Sequence, residues 1–467
     1  MVDTQKQQNK KGAATVYTLI IMSVLSVVLL GLISFVLAQM KYSFHQAARA
    51  EALQIAEAGV HFYRWYLSHQ TDGKTAQQIE AFWASGEAYG ITAPYERTYA
   101  DRGTFRITVT PPAPGQTSVV VESQGWTTRN PNVTRTVRVR LRRPSWSEYA
   151  ILSDADTRFG DGTTVFGPLH SNGGIRFDGV AYNTVSSARE TYTDPDTGLT
   201  QPGVWTSWPG GYNTSMNSTV FVAGTEFPVS GVDFGSVTTD ISLMRTEAQT
   251  NGVAFDDAGY GRHIILHPDG TFEARVVTQY DTESNGIIAE GSPQVYTIPN
   301  NSIIYVDDNI WVEGRIDGAH VSIVAGDHTG AQTPRILIGK DVLYTSYDGS
   351  DIIGLVATGD IEIIRDSEDD LRIDAALLSQ SGRIGRAHYG WYCNAWWWFW
   401  CIDTVYDIKT TITINGALAT YQRYGFAWTD GTGYINRNLI YDNHLLYQPP
   451  PFFPTGTHYI PDLWEER

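Results

Sequence analysis

The chain of 467 residues has few cysteines and fewer basic than acidic side chains. Cys393 and Cys401 are its only cysteines, which excludes a disulfide-rich scaffold and a metal site built from several thiolates. Lysine and arginine number 33 against 50 aspartate and glutamate residues, and the net charge of −17 would repel a nucleic-acid duplex at long range. Composition therefore argues against a general nucleic-acid-binding surface.

The signature motifs of nucleotide-binding loops and of zinc peptidases are also missing from the sequence. His170-Ser171-Asn172 places a base beside a hydroxyl. However, adjacent strand residues point to opposite faces and cannot readily share a hydrogen bond. The segment fits a Gly/Asn turn better. We therefore predict that the chain is not an enzyme and has no cofactor.

Calcium is the one alternative that acidic turns leave open. Asp154, Asp156 and Asp161 lie in an oxygen-rich stretch that contains glycine. Calcium needs six to eight oxygen ligands, and the spacing of these residues does not match the EF-hand loop. Solvated turn acids are the preferred interpretation.

A long apolar run follows a polar, basic N-terminus. Residues 1–12 include three lysines, and no charged residue occurs from Ala13 to Met40. The run is long enough to span a bilayer as a helix, and the lysines ahead of it predict a cytoplasmic N-terminus. A secretory signal peptide would have a shorter apolar core. It is therefore the least favoured of three alternatives, the other two being a plain signal anchor and a prepilin signal.

The start of this run resembles the prepilin signal of type IV pilins. The leader ends in Lys10-Lys11-Gly12, and Ala56-Glu57-Ala58-Gly59 is similar to a step common in PilX-type minor pilins. The resemblance implies cleavage between Gly12 and Ala13 by a prepilin peptidase. It also implies a helix over residues 13–69 and a single-pass membrane protein with an extracytoplasmic head. Its partners would be other pilins and minor pilins and the inner-membrane assembly platform.

One position departs from the pattern of the family. Most major pilins have glutamate five residues into the mature chain, where it is thought to pair with the terminal amine of a neighbouring subunit. This chain has Tyr17 there. A subunit with no neighbour ahead of it tolerates that loss. The departure favours a place at the pilus tip, and it keeps a type II secretion pseudopilin open as an alternative.

Residues 70–144 are predicted to form a small antiparallel sheet under the long helix. They contain a helical patch at Ala76–Ala84 and three strand-like runs, Thr104–Thr110, Ser118–Ser123 and Arg135–Arg142. The last run places Arg138, Arg140 and Arg142 on one face. A strip that binds DNA or anionic lipid headgroups is one interpretation, and the solvated face of a sheet is the preferred one.

Residues 145–455 are predicted to form a large all-β head, so that the fold class is α+β. Short runs that are apolar on both faces recur between Gly and Asp turns, without helix-sized connections. This pattern favours a β-solenoid over the alternative, a β-sandwich. One helix is predicted at residues 240–250, and residues 456–467 are predicted to be a C-terminal tail.

Several phrases in the head are similar to PilX-type and ComZ-like pilins. They are Gly167–Gly174, Ile353–Ile361, Ile373–Leu378 and Pro449–Pro454. The resemblance implies a β-solenoid carried on a pilin stalk. It also adds a competence pilin for DNA uptake as an alternative function.

The most unusual segment runs from Cys393 to Cys401 and contains Trp396, Trp397, Trp398, Phe399 and Trp400. In an exported protein the two cysteines would close a disulfide loop. Consecutive tryptophans in a strand cannot all be buried, because neighbours point to opposite faces. The candidate roles are an adhesive tip, a carbohydrate platform, a membrane-interface anchor and stacking on single-stranded DNA. The alternative is a cap over an open solenoid end.

The predicted function is that of a minor, tip-located type IV pilin that serves pilus assembly and surface adhesion. The aromatic residues between the cysteines are predicted to bind a surface or host-cell ligand. DNA is not the favoured ligand, because the chain is acidic overall.

Overall fold

The computed structural model describes residues 3–72, 74, 76–113, 116–207, 218–232, 234, 237–456 and 458–467. Three α-helices occur in these ranges: α1 (Asp3–Thr71), α2 (Ala76–Ala84) and α3 (Val237–Asn251). Short 3-10 turns lie at Trp146–Glu148 and Asn443–Leu446. The rest of the regular structure is β-sheet. The predicted fold class, a long N-terminal helix with a large, mostly β remainder, is confirmed.

Helix α1 has two parts with different surroundings. Residues 14–47 are all exposed, and Ala14–Thr71 is the one segment in the described ranges that is helical, long and apolar enough to span a membrane. From Ala48 onward one face is buried at helical spacing, including Ile55, Val60, Tyr63 and Leu67. The helix begins at Asp3, inside the predicted leader, rather than at Ala13.

The second part of α1 packs on a five-stranded antiparallel sheet. Its strands are β1 (Tyr95–Tyr99), β2 (Gly103–Thr110), β3 (Ser118–Thr127), β4 (Thr134–Arg142) and β34 (Ile460–Glu466), in this spatial order. The helix approaches β3 so closely that a Cβ on Gly125 would clash with the backbone of Ala52 and Ala56. The predicted C-terminal tail is therefore wrong: residues 460–466 form the edge strand beside β4.

Most other strands belong to one 22-stranded sheet with parallel ladders. The first ladder runs through β16 (Val253–Phe255), β21 (Ser302–Val306), β23 (His320–Ala325), β26 (Ile352–Ala357), β28 (Asp370–Ser379) and β32 (Ile408–Thr420). The second runs through β17 (Arg262–Leu266), β22 (Ile310–Ile316), β24 (Ile336–Ile338), β27 (Ile361–Ile363) and β29 (Ile384–Arg386). The short β25 (Val342–Tyr344) pairs with β22 and β28.

The first strands of the head join this sheet at β32. Its last residues pair with β5 (Ile151–Ser153), which is followed by β8 (Leu169–Ser171), β11 (Val185–Ser187) and β15 (Thr225–Glu226). Its earlier residues pair with β33 (Gly433–Tyr441), followed by β7 (Thr163–Phe166) and β10 (Val180–Ala181). Beside them lies a separate parallel set, β6 (Thr157–Phe159), β9 (Ile175–Phe177) and β14 (Val204–Trp205).

Antiparallel pairs are attached to these ladders. Strand β18 (Thr271–Tyr280) pairs with β17, β19 (Ile287–Glu290) and β20 (Gln294–Thr297). Strand β12 (Thr191–Thr193) pairs with β13 (Thr200–Pro202), and β30 (Trp391–Trp397) with β31 (Trp400–Tyr406). The main ladders are parallel, whereas a β-sandwich of the kind considered above is built from antiparallel sheets.

Apolar residues are buried on both faces of the parallel strands. In β26, Ile353 and Leu355 belong to one apolar cluster, and Ile352 and Val356 to another. Helix α3 covers the second cluster with side chains such as Met244. This two-sided burial is the reason that the strands read as continuous apolar runs instead of alternating.

Candidate binding site at an aromatic hairpin

Strands β30 and β31 form a hairpin, residues 391–406, that is called the aromatic hairpin below. Among the strands of the described ranges, these two pair only with each other. Cys393 and Cys401 are joined by a disulfide bond that links the two strands. The bond lies just below the turn, so it limits how far the strands can separate near the tip.

The tip of the hairpin consists of four consecutive aromatic residues. Trp397 pairs with Trp400 across the strands, and Trp398 and Phe399 form the turn between them. All four side chains are exposed, Trp398 by 83% and Phe399 by 88%. The side chain of Trp396, the fifth predicted binding residue, lies outside the described residues. A cap over a sheet end would bury such side chains, so the exposed tip fits the binding interpretation.

The backbone of Trp398 has an unusual conformation. Its φ angle is +56°, in the left-handed region that a bulky side chain rarely adopts. Such a residue costs about 1–3 kcal/mol relative to an unstrained one, and strained residues of this kind cluster at functional sites. Glycine would be the ordinary choice at this turn position. The sequence has an exposed indole there instead.

The base of the hairpin is buried and held by an ion pair. Arg386 has no exposed surface, and its guanidinium donates to both carboxylate oxygens of Asp407, at 2.9 Å from Nε and 2.5 Å from Nη2. The same guanidinium donates to the Ser367 hydroxyl at 2.8 Å. The Asp407 amide donates to the Gly390 carbonyl at 2.9 Å and closes the hairpin. Fully paired buried charges of this kind fix geometry rather than bind ligands.

Two tyrosines complete the base. The Tyr389 hydroxyl donates to Glu362 at 2.9 Å, and burial together with this carboxylate raises the pKa of Tyr389. Burial also raises the pKa of Tyr434 to about 12. The Arg386 guanidinium lies over both rings, with its central carbon 5.0 and 5.7 Å from their centroids. The base is therefore a rigid platform from which the aromatic tip projects.

Sequence reasoning missed this platform and part of the exposed surface. Trp391, Ile402 and Tyr406 are all at least half exposed and extend the apolar surface below the tip. Arg386 and Asp407 are 21 residues apart, and no local pattern connects them. The one available signal is the reversal of the hairpin itself, which brings residues on either side of it together.

The three predicted strip arginines are paired within the chain. Arg140 donates to Asp462 at 2.9 Å, and Arg138 lies 3.4 Å from Glu465, both acids being supplied by β34. Arg142 forms an ion pair with Glu148 and lies 3.4 Å from Asp462. These carboxylates neutralise the guanidinium groups, so the strip does not present a run of unpaired positive charge to an anion.

The predicted calcium acids hold turns together. Asp154 accepts a hydrogen bond from the side-chain amide of Asn172 at 2.5 Å. Asp156 and Asp161 accept hydrogen bonds from backbone amides, that of Gly174 at 2.7 Å and that of Gly162 at 2.9 Å.

Among the described residues, three potential metal ligands converge at Asp307, Asp327 and His328, and not at the predicted acids. There Arg245 already supplies a positive charge, 2.9 Å from Asp307.

The imidazole of the His170-Ser171-Asn172 phrase is hydrogen-bonded, but not to Ser171: its Nε2 lies 3.3 Å from the Asn172 side-chain oxygen. Its Nδ1 lies 3.0 Å from the Ser186 hydroxyl on a neighbouring strand, and the Ser171 hydroxyl donates to the Ala155 carbonyl at 2.7 Å. Burial lowers the pKa of His170. The adjacent hydroxyl and imidazole are therefore not hydrogen-bonded to each other, and both residues lie in strand β8 rather than in the predicted turn.

Comparisons with known proteins give only a weak likeness. No family model matches the chain, and no curated protein matches it. Among solved structures it is similar to the crystal structure of the competence-associated pilin ComZ from Thermus thermophilus, with a TM-score of 0.30 and 11% identity. The match covers 90% of this chain and 98% of that chain.

Proposed function

We propose that this chain is a membrane-anchored minor pilin whose head makes contact with a surface. The observation that carries the proposal is the division of α1: an exposed apolar first part, and a second part packed on an antiparallel sheet. One continuous helix thus provides both a membrane anchor and the spine of a folded module. The type IV pilin resemblance implies that arrangement.

The prepilin signal adds a processing step to this proposal. Lys10, Lys11 and Gly12 form the basic end of a leader, and the peptidase cuts before Ala13. Side chains up to Ala13 lie outside the described residues, so this step depends on the sequence alone. After cleavage the apolar part of α1 is free to pack among the helices of other pilins.

A position at the tip of the fibre follows from two independent features. Tyr17 has no carboxylate to present to the amine of a neighbouring subunit. The head is also large, since the 22-stranded sheet and its attachments follow the pilin-like module. A head of that size is difficult to fit at every step of a close-packed shaft. Exposure of the aromatic hairpin gives a tip subunit a contact element.

The head itself is proposed to be a β-solenoid. Supporting this are parallel partners in register, such as Val321 beside Ile353 and Leu355 beside Leu377. In a solenoid the strands of each coil pair with those of the next coil, so that the apolar interior is continuous. Such a body suits a spacer that carries a contact element away from the fibre.

The decisive experiment examines sheared and purified fibres. Mass spectrometry should find a mature chain that starts at Ala13, at an abundance far below that of the major subunit. A strain without prepilin peptidase, as the control, should retain Met1 in the membrane fraction. An intact Met1 in the parent strain would leave a plain signal anchor, and near-stoichiometric abundance in fibres would exclude the tip.

The DNA-uptake alternative is not favoured by any described site. Arg138, Arg140 and Arg142 are paired with acids of the same chain. Nucleic-acid affinity depends on cations that can replace the counterions of phosphate. Surface adhesion therefore fits the available side chains better than capture of DNA.

A further inference from the structure

The chemistry of the aromatic tip narrows the class of its partner. Trp397, Trp398, Phe399 and Trp400 are each exposed by 66–88%. Trp397 and Trp400 are opposite each other across the strands, whereas the other two residues form the turn. Four such side chains around a turn cannot share one plane. A flat ligand would stack on some of them and leave the others in water.

Charge excludes partners that are recognised through phosphate or other anionic groups. No lysine or arginine occurs between Arg386 and Lys409, and Arg386 is buried in its ion pair. The one charged residue of the aromatic hairpin is Asp403. The whole chain has a net charge of −17. Nucleic acids and strongly anionic membranes would therefore be repelled rather than attracted.

Hydrogen-bonding capacity at the tip is also small. The tip offers three indole N–H donors and no side-chain acceptor. A carbohydrate site combines an aromatic platform with polar groups that match hydroxyls, as small-molecule sites generally do. A tip whose own side chains offer no acceptor matches a different environment, the membrane–water interface, where tryptophan is enriched.

The hairpin is also built to keep these side chains in place. The disulfide links its strands below the turn, and the Arg386–Asp407 pair fixes its base. Ordering is thus completed before contact, which lowers the entropy lost on binding. Tryptophan occupies position 398 although its backbone, at φ +56°, is strained for any residue with a side chain.

We propose that the aromatic tip inserts into the interfacial layer of a zwitterionic lipid bilayer on the contacted surface. This inference rests on the proposed adhesive role and specifies its partner. The bilayer meant is distinct from the one that holds α1. That helix contacts strands β2, β3 and β4 of the five-stranded sheet, whereas the hairpin leaves the parallel sheet between β29 and β32. Lipid surrounds an inserted tip on all sides, as the arrangement of the four side chains requires.

The test uses the full-length chain with helix α1 already inserted in a lipid bilayer, so that α1 cannot bind the vesicles. The protein is reconstituted through α1 into nanodiscs and mixed with separate, protein-free phosphatidylcholine vesicles that can be sedimented. We expect the wild type to co-sediment, and the Trp398→Gly variant to bind about tenfold more weakly because one interfacial indole is lost. Vesicles with brominated acyl chains should quench the tryptophan fluorescence of the wild type more than that of the variant.

Two controls separate lipid insertion from general stickiness. Trp464→Ala removes an indole that is 42% exposed on β34, and it should leave co-sedimentation unchanged. Replacement of part of the phosphatidylcholine by phosphatidylglycerol should lower binding, since the chain is acidic. Equal binding by wild type and Trp398→Gly, or no binding to vesicles, would overturn the proposal.

Competition with soluble ligands distinguishes lipid from carbohydrate and from single-stranded DNA. Release from vesicles by a soluble oligosaccharide or a single-stranded oligonucleotide would assign the tip to that ligand and overturn insertion. If the chain is present in sheared fibres but does not bind vesicles, the lipid inference alone fails. If it is absent from fibres, the proposed pilin function fails whatever the vesicles show.

Discussion

The tip and the base of the aromatic hairpin lie in one short stretch of chain and are opposites in their chemistry. The base buries Arg386 and Asp407 with all but a few per cent of their side chains inaccessible. The tip leaves Trp398 and Phe399 more than four-fifths exposed. Removing charges from water is costly and is offset only by complete pairing. Exposed indoles are costly until a partner covers them. The base therefore contributes to folding, whereas the side chains of the tip remain accessible to a partner.

The largest effect on stability is expected at the base. Arg386→Ala leaves Asp407 buried without its partner, and breaking such a pair costs about 3–5 kcal/mol. The free energy of unfolding of the full chain in detergent, measured with denaturant, should fall accordingly. Arg423→Ala is the matched control. That arginine is 41% exposed beside Asp196, and loss of an exposed pair costs about 1 kcal/mol or less. Equal losses in the two variants would contradict the contrast between a buried and an exposed pair.

The next effect is expected in the strands between base and tip. Serine at both Cys393 and Cys401 removes a bond that, for a loop of this size, stabilises its closed form by about 2–3 kcal/mol. The hairpin pairs with no other described strand, so the loss should be local. Hydrogen–deuterium exchange should therefore speed up in peptides from residues 391–406.

Peptides from β28 provide the control for that experiment, because both of its neighbours in the ladder are intact in the serine variant. If β28 exchanged faster as well, the hairpin would be part of the cooperative core rather than an appendage.

A third effect concerns a charged site around His263 on strand β17. His263 lies 2.8 Å from Glu290 and 3.4 Å from Glu313. Burial lowers the pKa of His263, but hydrogen bonds to the two glutamates outweigh burial and raise it above its ordinary value of 6.5. The hydrogen bond from His263 is the main cause that lowers the pKa of Glu313 to about 2.

The contribution of His263 and Glu313 to the stability of the fold depends on pH. A raised histidine pKa stabilises the fold fully below pH 6.5, and this contribution is lost as the pH rises through the raised value. The Glu313 contribution is present above pH 4.5 and is lost as the pH falls towards 2. Wild type should therefore exceed His263→Gln in unfolding temperature by more at pH 6 than at pH 9. A constant difference would show that the histidine acts through packing alone.

Local patterns predicted much of this molecule. Helix α2 has the bounds predicted for the helical patch Ala76–Ala84, and the buried face of α1 follows the helical period from Ala48 onward. The two-sided apolar runs, such as Ile352–Ala357, are buried parallel strands. In each case the signal lies within a few residues, where side-chain direction is set by the backbone period.

Long-range pairing could not be predicted in the same way. Strand β34 completes a sheet whose other strands end at Arg142, and Arg138 meets Glu465 across 327 residues of sequence. Periodicity does not specify which distant strand lies alongside another. The arginine strip was therefore recognised as one face of a strand, but its acidic partners were not. The exposure of the tip was predicted as one of two alternatives, since a cap would have contained the same residues.

The smallest change in stability is expected at the tip, and it bears most directly on the comparison. Trp398→Gly relieves a backbone conformation that disfavours any side chain, but glycine also gains freedom in the unfolded chain. Because these terms oppose each other, the free energy of unfolding should change by no more than about 1 kcal/mol. Trp398→Ala is the matched variant: it loses the same indole and keeps the strained Cβ, so it should be slightly less stable than the glycine variant. Both should bind contact surfaces equally weakly. A loss of several kcal/mol in the glycine variant would mean that the indole packs against the protein, and that the tip belongs to the fold as the base does.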